Sequence, residues 1–306
     1  MEIFDILIIG SGPAGLSAAI YAQRANLKSC LVERSAPGGK VITTASVENY
    51  PGFKNISGPE LGYAMYDQAI KLGTKFIGGK VVKIKAQDKY KVAVLENNTE
   101  ILAKTIIIAT GMENQKLNIP GEQKFANHGV SYCAICDGMF FKNKPVAVVG
   151  SGNTACEESV YLSKICSEVY LLIRNDKMKA EAHIIDEVLA QKNIKILYNV
   201  EALEIKGDTS VQSFDLRDKI KNEIITINVN AVFPFIGFKV DPIIDELGIK
   251  KSANNFYIVD HNQKTSCDGI YAAGDIVDKK FRQISTAIND GTIAALDAKD
   301  YILKNF

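Results

Sequence analysis

One pattern occurs twice in this chain. Ile6-Leu-Ile-Ile-Gly10-Ser-Gly12 near the start is matched by Val146-Ala-Val-Val-Gly150-Ser-Gly152 near the middle. Each copy is a short apolar run, as expected for a strand buried on both faces, followed by a glycine turn and a stretch of helical periodicity. An internal repeat of strand, turn and helix predicts an α/β chain with two dinucleotide-binding folds.

The first copy has its full setting. Gly10-Ser-Gly12-Pro13-Ala14-Gly15 follows the strand Ile3 to Ile9, a helix reaches Asn26, and Ser29 to Glu33 reads as the next strand. Glycines let the backbone approach a pyrophosphate, and a helix N-terminus attracts its charge. The acid closing the second strand, Glu33, is placed to bind ribose hydroxyls. In the second copy Ala155 replaces the last glycine, a helix is expected to Ser163, and Glu168 to Ile173 completes the unit.

Between the repeats lies Cys133-Ala-Ile-Cys136-Asp137. Two cysteines so spaced close and reopen a small disulfide ring when their thiolates are stabilised. Zinc is the other common use of such a pair, but it requires four ligands. The three histidines, His128, His183 and His261, form no ligand-like pairing with a cysteine, so no metal site is expected. Asp137 reads either as a proton carrier beside the thiols or as a helix cap. A dithiol between two dinucleotide folds points to electrons passing through cofactors to a disulfide.

The net charge is +1, and 47% of the 306 residues are apolar. Neither a nucleic-acid partner nor a polybasic membrane anchor is expected from that balance. The apolar runs are too short for a membrane span, and Met1 to Asp5 does not resemble a signal peptide, so a cytoplasmic location is the default expectation. The Gly38-Gly39-Lys40 and Val47 to Gly52 stretches form a long punctuated connection, and Ser57 starts a helix to Leu72. Val81 to Ile84, Lys91 to Glu96 and Glu100 to Ala103 predict a small β-meander, with Thr105 to Gly111 as a separate buried strand. Strands are expected at Ala231 to Gly237 and Ile270 to Asp275, and a long helix from Arg282-Gln283 returns to the first fold.

With these motifs in hand, the chain resembles the low-molecular-weight thioredoxin reductases over nearly its whole length. The resemblance rests on Gly10 to Gly15, Pro37-Gly38-Gly39, Glu48-Asn-Tyr-Pro-Gly52, Ala109-Thr110-Gly111, Cys133 to Asp137, Gly150 to Ala155, Gly274-Asp275 and Arg282-Gln283. It implies two Rossmann-like domains, the second inserted into the first. FAD would be held by residues 1–114 and 242–306, and NAD(P)H by residues 115–241. Gly10, Gly12, Pro13, Ala14, Glu33, Gly39, Asn49, Ala109, Thr110, Gly111, Gly274, Asp275, Arg282 and Gln283 would surround FAD. Gly152, Asn153, Thr154, Arg174 and Lys179 would hold NADPH. Cys136 would face the flavin, Cys133 would attack the partner disulfide, and Asp137 would move protons. Thioredoxin would be the partner and a homodimer the assembly. Members of the family rotate one domain against the other, which makes Asn114 to Leu117 and Lys239 to Pro242 the expected hinges.

The chain departs from the family at the nucleotide phosphate. NADPH-using relatives carry a His-Arg-Arg run with a later arginine; here Ile173-Arg174-Asn175 and Lys179 stand there. One reading is a working NADPH site with weakened discrimination against NADH, since no acid replaces Arg174 to claim the ribose hydroxyls. The other is reduction by a protein carrier, ferredoxin or flavodoxin. Ferredoxin– or flavodoxin–NADP reductases share the two-domain shape but lack the CxxC, and a flavin-binding sensor without turnover would have no need of Cys133, Cys136 and Asp137 together.

Overall fold

A computed structural model describes residues 2–44 and 46–306. The chain divides into two compact units, residues Met1–Glu113 with Val240–Phe306, and residues Asn114–Lys239. It begins with β1 (Ile3–Ile9), α1 (Pro13–Arg24), β2 (Ser29–Glu33), α2 (Gly58–Lys71), β3 (Lys75–Gly78), β4 (Val81–Gln87), β5 (Tyr90–Leu95) and β6 (Glu100–Ile108). After β7 (Glu113–Asn114) follow α3 (Ala134–Asp137), β8 (Pro145–Val149), α4 (Asn153–Ser163), β9 (Glu168–Ile173), α5 (Ala182–Ala190) and β10 (Ile194–Tyr198). Next come β11 (Val200–Lys206), β12 (Ser213–Asp218), β13 (Glu223–Asn228), β14 (Ala231–Pro234) and β15 (Phe238–Lys239). The first unit resumes with β16 (Ile244–Asp245), β17 (Ile270–Ala272) and α6 (Ile284–Asn305).

In the first unit the sheet runs β16-β4-β5-β6-β1-β2-β3, with β17 also on β6. Strand β6 differs from the sequence reading. The expected meander is present as β4-β5-β6, but its last strand, from Glu100, and the run from Thr105 are one continuous strand rather than two. Its first half pairs antiparallel with β5 (Val92↔Leu102) and its second half parallel with β17 (Tyr271↔Ile107). Lys104, the charge between the two runs, is neutralised by Asp5 at 2.7 Å, so the strand passes through it. The edge strand β3 was not expected from the sequence. It lies parallel to β2. One face of the sheet packs Leu7, Ile84, Ile106 and Tyr257; the other packs Ile6, Ile8, Leu16 and Ala294 beneath α1 and α6.

Local signals set the helix boundaries. Helix α1 stops at Arg24, two residues short of expectation, because Asn26 takes a left-handed φ of 57°. Helix α2 starts at a capping box, in which Ser57 and Glu60 satisfy each other's backbone N–H groups. Helix α6 crosses α1 at Gly291, where a Cβ would fall 1.9 Å from the Ala14 carbonyl oxygen.

In the second unit a parallel sheet runs β10-β9-β8-β14, and β11-β12-β13 form a separate antiparallel sheet. Val146, Val148, Leu171 and Phe233 fill one core with α4 and α5; Phe125, Ala147, Phe214 and Val232 fill the other. Glu158 on α4 is buried, and its Oε2 has no hydrogen-bond partner among the described residues. Burial, reinforced by the charge of Glu157, pushes its carboxyl up to about 8.

An acid with a raised folded-state pKa keeps its proton in the folded chain and loses it first when unfolded. Stability is therefore full below the ordinary carboxylate range and declines as pH rises toward about 8. Urea denaturation across that range should show wild-type stability falling by on the order of 2–4 kcal/mol. Glu158→Gln should flatten this slope; an unchanged slope would assign the pH dependence elsewhere.

Candidate active site

The cysteine pair sits at the start of α3. Cys133 and Cys136 form a disulfide with Cα atoms 5.3 Å apart. Its setting is rigid on one side: the Cys133 N–H donates to Ser131 Oγ at 3.1 Å, and the Cys136 N–H donates to Cys133 Sγ at 3.1 Å. Ala134 between them is buried, Cys133 is half-buried and Cys136 is exposed. The next turn rests on α4, where a Cβ at Gly138 would lie 3.0 Å from Leu162. The dithiol thus rides on the helix that follows the second glycine turn.

Asp137 precedes the single-turn helix Gly138–Phe141, the position from which a side chain would cap it, yet it makes no capping hydrogen bond. The cap reading is not realised. A half-buried carboxylate beside the disulfide is left available for proton exchange with a thiol.

In the first unit the carboxyl ends of parallel strands gather several expected residues. Gly10 has φ 104°, and a Cβ there would strike the Ala109 carbonyl oxygen at 2.4 Å. A Cβ on Gly39 would meet Gly12 Cα at 2.8 Å, and one on Gly274 would meet Ala14 Cβ at 2.9 Å. The loops after β1, β2, β6 and β17 are therefore in backbone contact around the start of α1, which opens with Pro13 and has no side-chain cap. Helix N–H groups left this way favour an anion. A cleft of about 210 Å³ opens here, lined by Gly10, Glu33, Thr110 and Gly111 with Arg34 and Lys80. Thr110 Oγ1 is buried without a hydrogen-bond partner among the described residues, an orphan that a bound polar group would satisfy.

Glu33 is more committed than its sequence position indicated. Its Oε2 accepts the Ser11 N–H and hydroxyl, and its Oε1 accepts those of Ser35, at 2.7–3.1 Å. All four ordinary lone-pair directions are in use, so a ribose would have to share or displace a serine hydroxyl. Asn49 reaches Gln283 at 3.3 Å, which ties the punctuated loop to the N-cap of α6. Arg282 stacks on Phe256 at 4.4 Å and donates to the Val277 carbonyl at 3.3 Å. Asp275 follows Gly274; burial pushes its carboxyl up, against the pull of Lys279, Lys40 and Arg282. Lys40 belongs to this group although the sequence reading gave it no role. Burial lowers its ammonium to about 8, opposed by Asp275. Its one sequence signal was its place directly after Gly38-Gly39.

The second glycine turn keeps an open cradle: nothing lies within 4 Å of a Cβ built on Gly152. Asn153 is held by a reciprocal pair of 3.0 Å bonds with Glu181, and Thr154 is half-buried in the first turn of α4. Arg174 leaves the end of β9, and the Lys179 N–H donates to Ser151 O at 2.6 Å, which pins its loop to the glycine turn. Both side chains are exposed, and neither forms an ion pair among the described residues.

Comparison with known proteins agrees with these features. The family model of the pyridine nucleotide-disulphide oxidoreductases matches residues 4–291. A thioredoxin reductase of Ureaplasma parvum is 48% identical over 305 residues, 99% of this chain and 98% of that protein. The crystal structure of Lactococcus lactis thioredoxin reductase has a TM-score of 0.92 at 38% identity, covering 98% of this chain and 99% of that one. That of T. acidophilum has a TM-score of 0.91 at 32% identity, with the same coverages.

Asp137→Asn keeps the side chain's shape and removes its proton. Disulfide-reducing turnover should fall by about 10²–10⁴-fold, the usual weight of a positioned acid or base, while the fold stays intact by circular dichroism. Full turnover across pH would reject the proton role.

Proposed function

This chain belongs to the pyridine nucleotide-disulphide oxidoreductase family, in the branch of the low-molecular-weight thioredoxin reductases, and from that premise we propose that it reduces thioredoxin with electrons from NADPH, by way of FAD. The observation that carries the reading is a disulfide placed on the helix after one glycine turn, in a chain with a second such turn. FAD fits the first unit on two counts: a turn stripped of side chains for a pyrophosphate, and the unpartnered Thr110 hydroxyl at the cleft. When bound there, FAD supplies the link between a hydride donor and a dithiol. NADPH fits the open cradle at Gly152, with Arg174 and Lys179 placed for a phosphate.

The residues then divide the work. In the reduced protein the Cys133 thiolate attacks one sulfur of the thioredoxin disulfide. A Cys133–thioredoxin bond forms, and the second thioredoxin sulfur leaves as a thiolate. Cys136 attacks Cys133 Sγ, which restores the internal disulfide and releases the first thioredoxin sulfur. The two departing thiolates take up two protons, one of them through Asp137. Residues around Gly10 to Gly15, with Gly39, Asn49, Gly274, Asp275, Arg282 and Gln283, orient FAD. The two units serve as FAD-binding and NADPH-binding domains of a cytoplasmic homodimer.

Anaerobic titration of the flavin-loaded protein with NADPH, and separately with NADH, tests the donor. Bleaching within seconds by NADPH at lower concentration than NADH is expected. If neither nucleotide bleaches it and reduced ferredoxin or flavodoxin does, the nicotinamide reading falls and the carrier takes its place. Cys133→Ser and Cys136→Ser should each still bleach but lose thioredoxin turnover, and Cys136→Ser should trap a mixed disulfide. Near-normal turnover in either variant would overturn the dithiol roles.

A further inference from the structure

The nucleotide-phosphate position is short of positive charge in sequence, yet the fold brings another cation to it. Strands β9 and β10 are parallel neighbours with Ile173 opposite Tyr198, so Arg174 and Asn199 leave the sheet side by side. The turn after β12 is fastened to that spot by main-chain bonds. The Lys219 N–H donates to Asn199 O at 2.8 Å, and the Asn199 N–H donates to Asn175 O at 3.0 Å. The Lys219 side chain then reaches the strand end itself, where Nζ donates to the Arg174 carbonyl at 3.1 Å.

That bond uses one of the three donors of an ammonium. Lys219 forms no ion pair among the described residues, and neither do Arg174 and Lys179. The nearest acid in sequence, Asp218, is turned away: its Oδ1 accepts the N–H groups of Ile220 and Lys221 at 2.8 and 3.0 Å, which hold its carboxyl below the usual range. Arg217, the next cation, is engaged by Glu201 at 3.8 Å. Arg174 leaves the strand end and Lys219 is held at it before any ligand arrives, neither with a carboxylate partner among the described residues, and Lys179 lies in the loop that follows β9.

We propose that Lys219 is a specificity-determining residue of the nucleotide site, completing with Arg174 and Lys179 a pocket that selects the 2′-phosphate of NADPH over the bare ribose of NADH. The inference rests on the nucleotide reading above. It replaces the expectation of a weakened phosphate site with one in which the charge is supplied from a hairpin 45 residues away from Arg174 in sequence.

The test uses the flavin-loaded full chain and compares two ligands that differ in the 2′-phosphate, 2′,5′-ADP and 5′-AMP, by calorimetry. Lys219→Gln removes the charge and keeps a donor for the Arg174 carbonyl. It should weaken 2′,5′-ADP by about three- to tenfold, as expected for loss of a charged hydrogen bond at an exposed site, and leave 5′-AMP unchanged. The salt dependence of 2′,5′-ADP binding should become shallower, KM for NADPH should rise with kcat unchanged, and Lys219→Arg should restore affinity. Equal effects on both ligands would mean that Lys219 only anchors the hairpin, and no effect on either would likewise overturn the proposal while NADPH use stands. Failure of the wild-type protein to bind 2′,5′-ADP or to be reduced by NADPH would overturn the nucleotide reading itself, and this inference with it.

Discussion

At Gly15 there is no space for a side chain: a Cβ there would fall 1.8 Å from the carbonyl oxygen of Gly10. This backbone-on-backbone contact lets α1 begin almost flush with the end of β1, and much else in the first unit is arranged around it. Gly39 lies against Gly12, and Gly274 and Gly291 lie against Ala14. Each is a point where a loop or helix approaches the turn more closely than any larger residue would permit. The second unit repeats the device in weaker form: a Cβ on Gly150 would fall 2.3 Å from the Phe235 carbonyl oxygen and 2.7 Å from the Ala155 Cβ.

Around these fixed contacts the polar groups fall into two sets. One set is spent on architecture: Glu33 on Ser11 and Ser35, Asn153 on Glu181, Asp290 on Lys279 and the Gly274 N–H. The other includes the buried Thr110 hydroxyl, which has no hydrogen-bond partner among the described residues. Buried polar groups are normally satisfied, so an unpaired hydroxyl at the mouth of the cleft has room for a polar partner from outside the chain. The disulfide is likewise held by backbone hydrogen bonds, with Cys136 at the surface.

Most of this was legible in the sequence where the signal is local. The glycine turns, their flanking strands, the capping box at Ser57 and the CxxC-Asp motif lie in consecutive residues, and the structure has each of those elements where expected. What was not legible depends on residues far apart. A break was expected after Ala103 because nothing in the sequence shows that Asp5 neutralises Lys104 and lets β6 continue. Glu33 carried the signature of a ribose ligand, but two of its four serine contacts, those to Ser11, come from a loop that only the fold brings to it. Lys40 and Lys219 were passed over for the same reason: a lone lysine carries no pattern, and the groups each one meets, near Asp275 and at the Arg174 carbonyl, are brought to it by distant parts of the chain.

The order of the chain has a consequence in time. Strands β1 to β6 are made first, but β17, which completes the edge of β6, and α6, which packs over Ala14, are made last, after the whole second unit. At about 5–20 residues per second, the nascent first unit waits on the order of ten seconds or more with its glycine turn uncovered. A ribosome pause before Gly291 therefore leaves the first glycine turn without the helix that packs against Ala14.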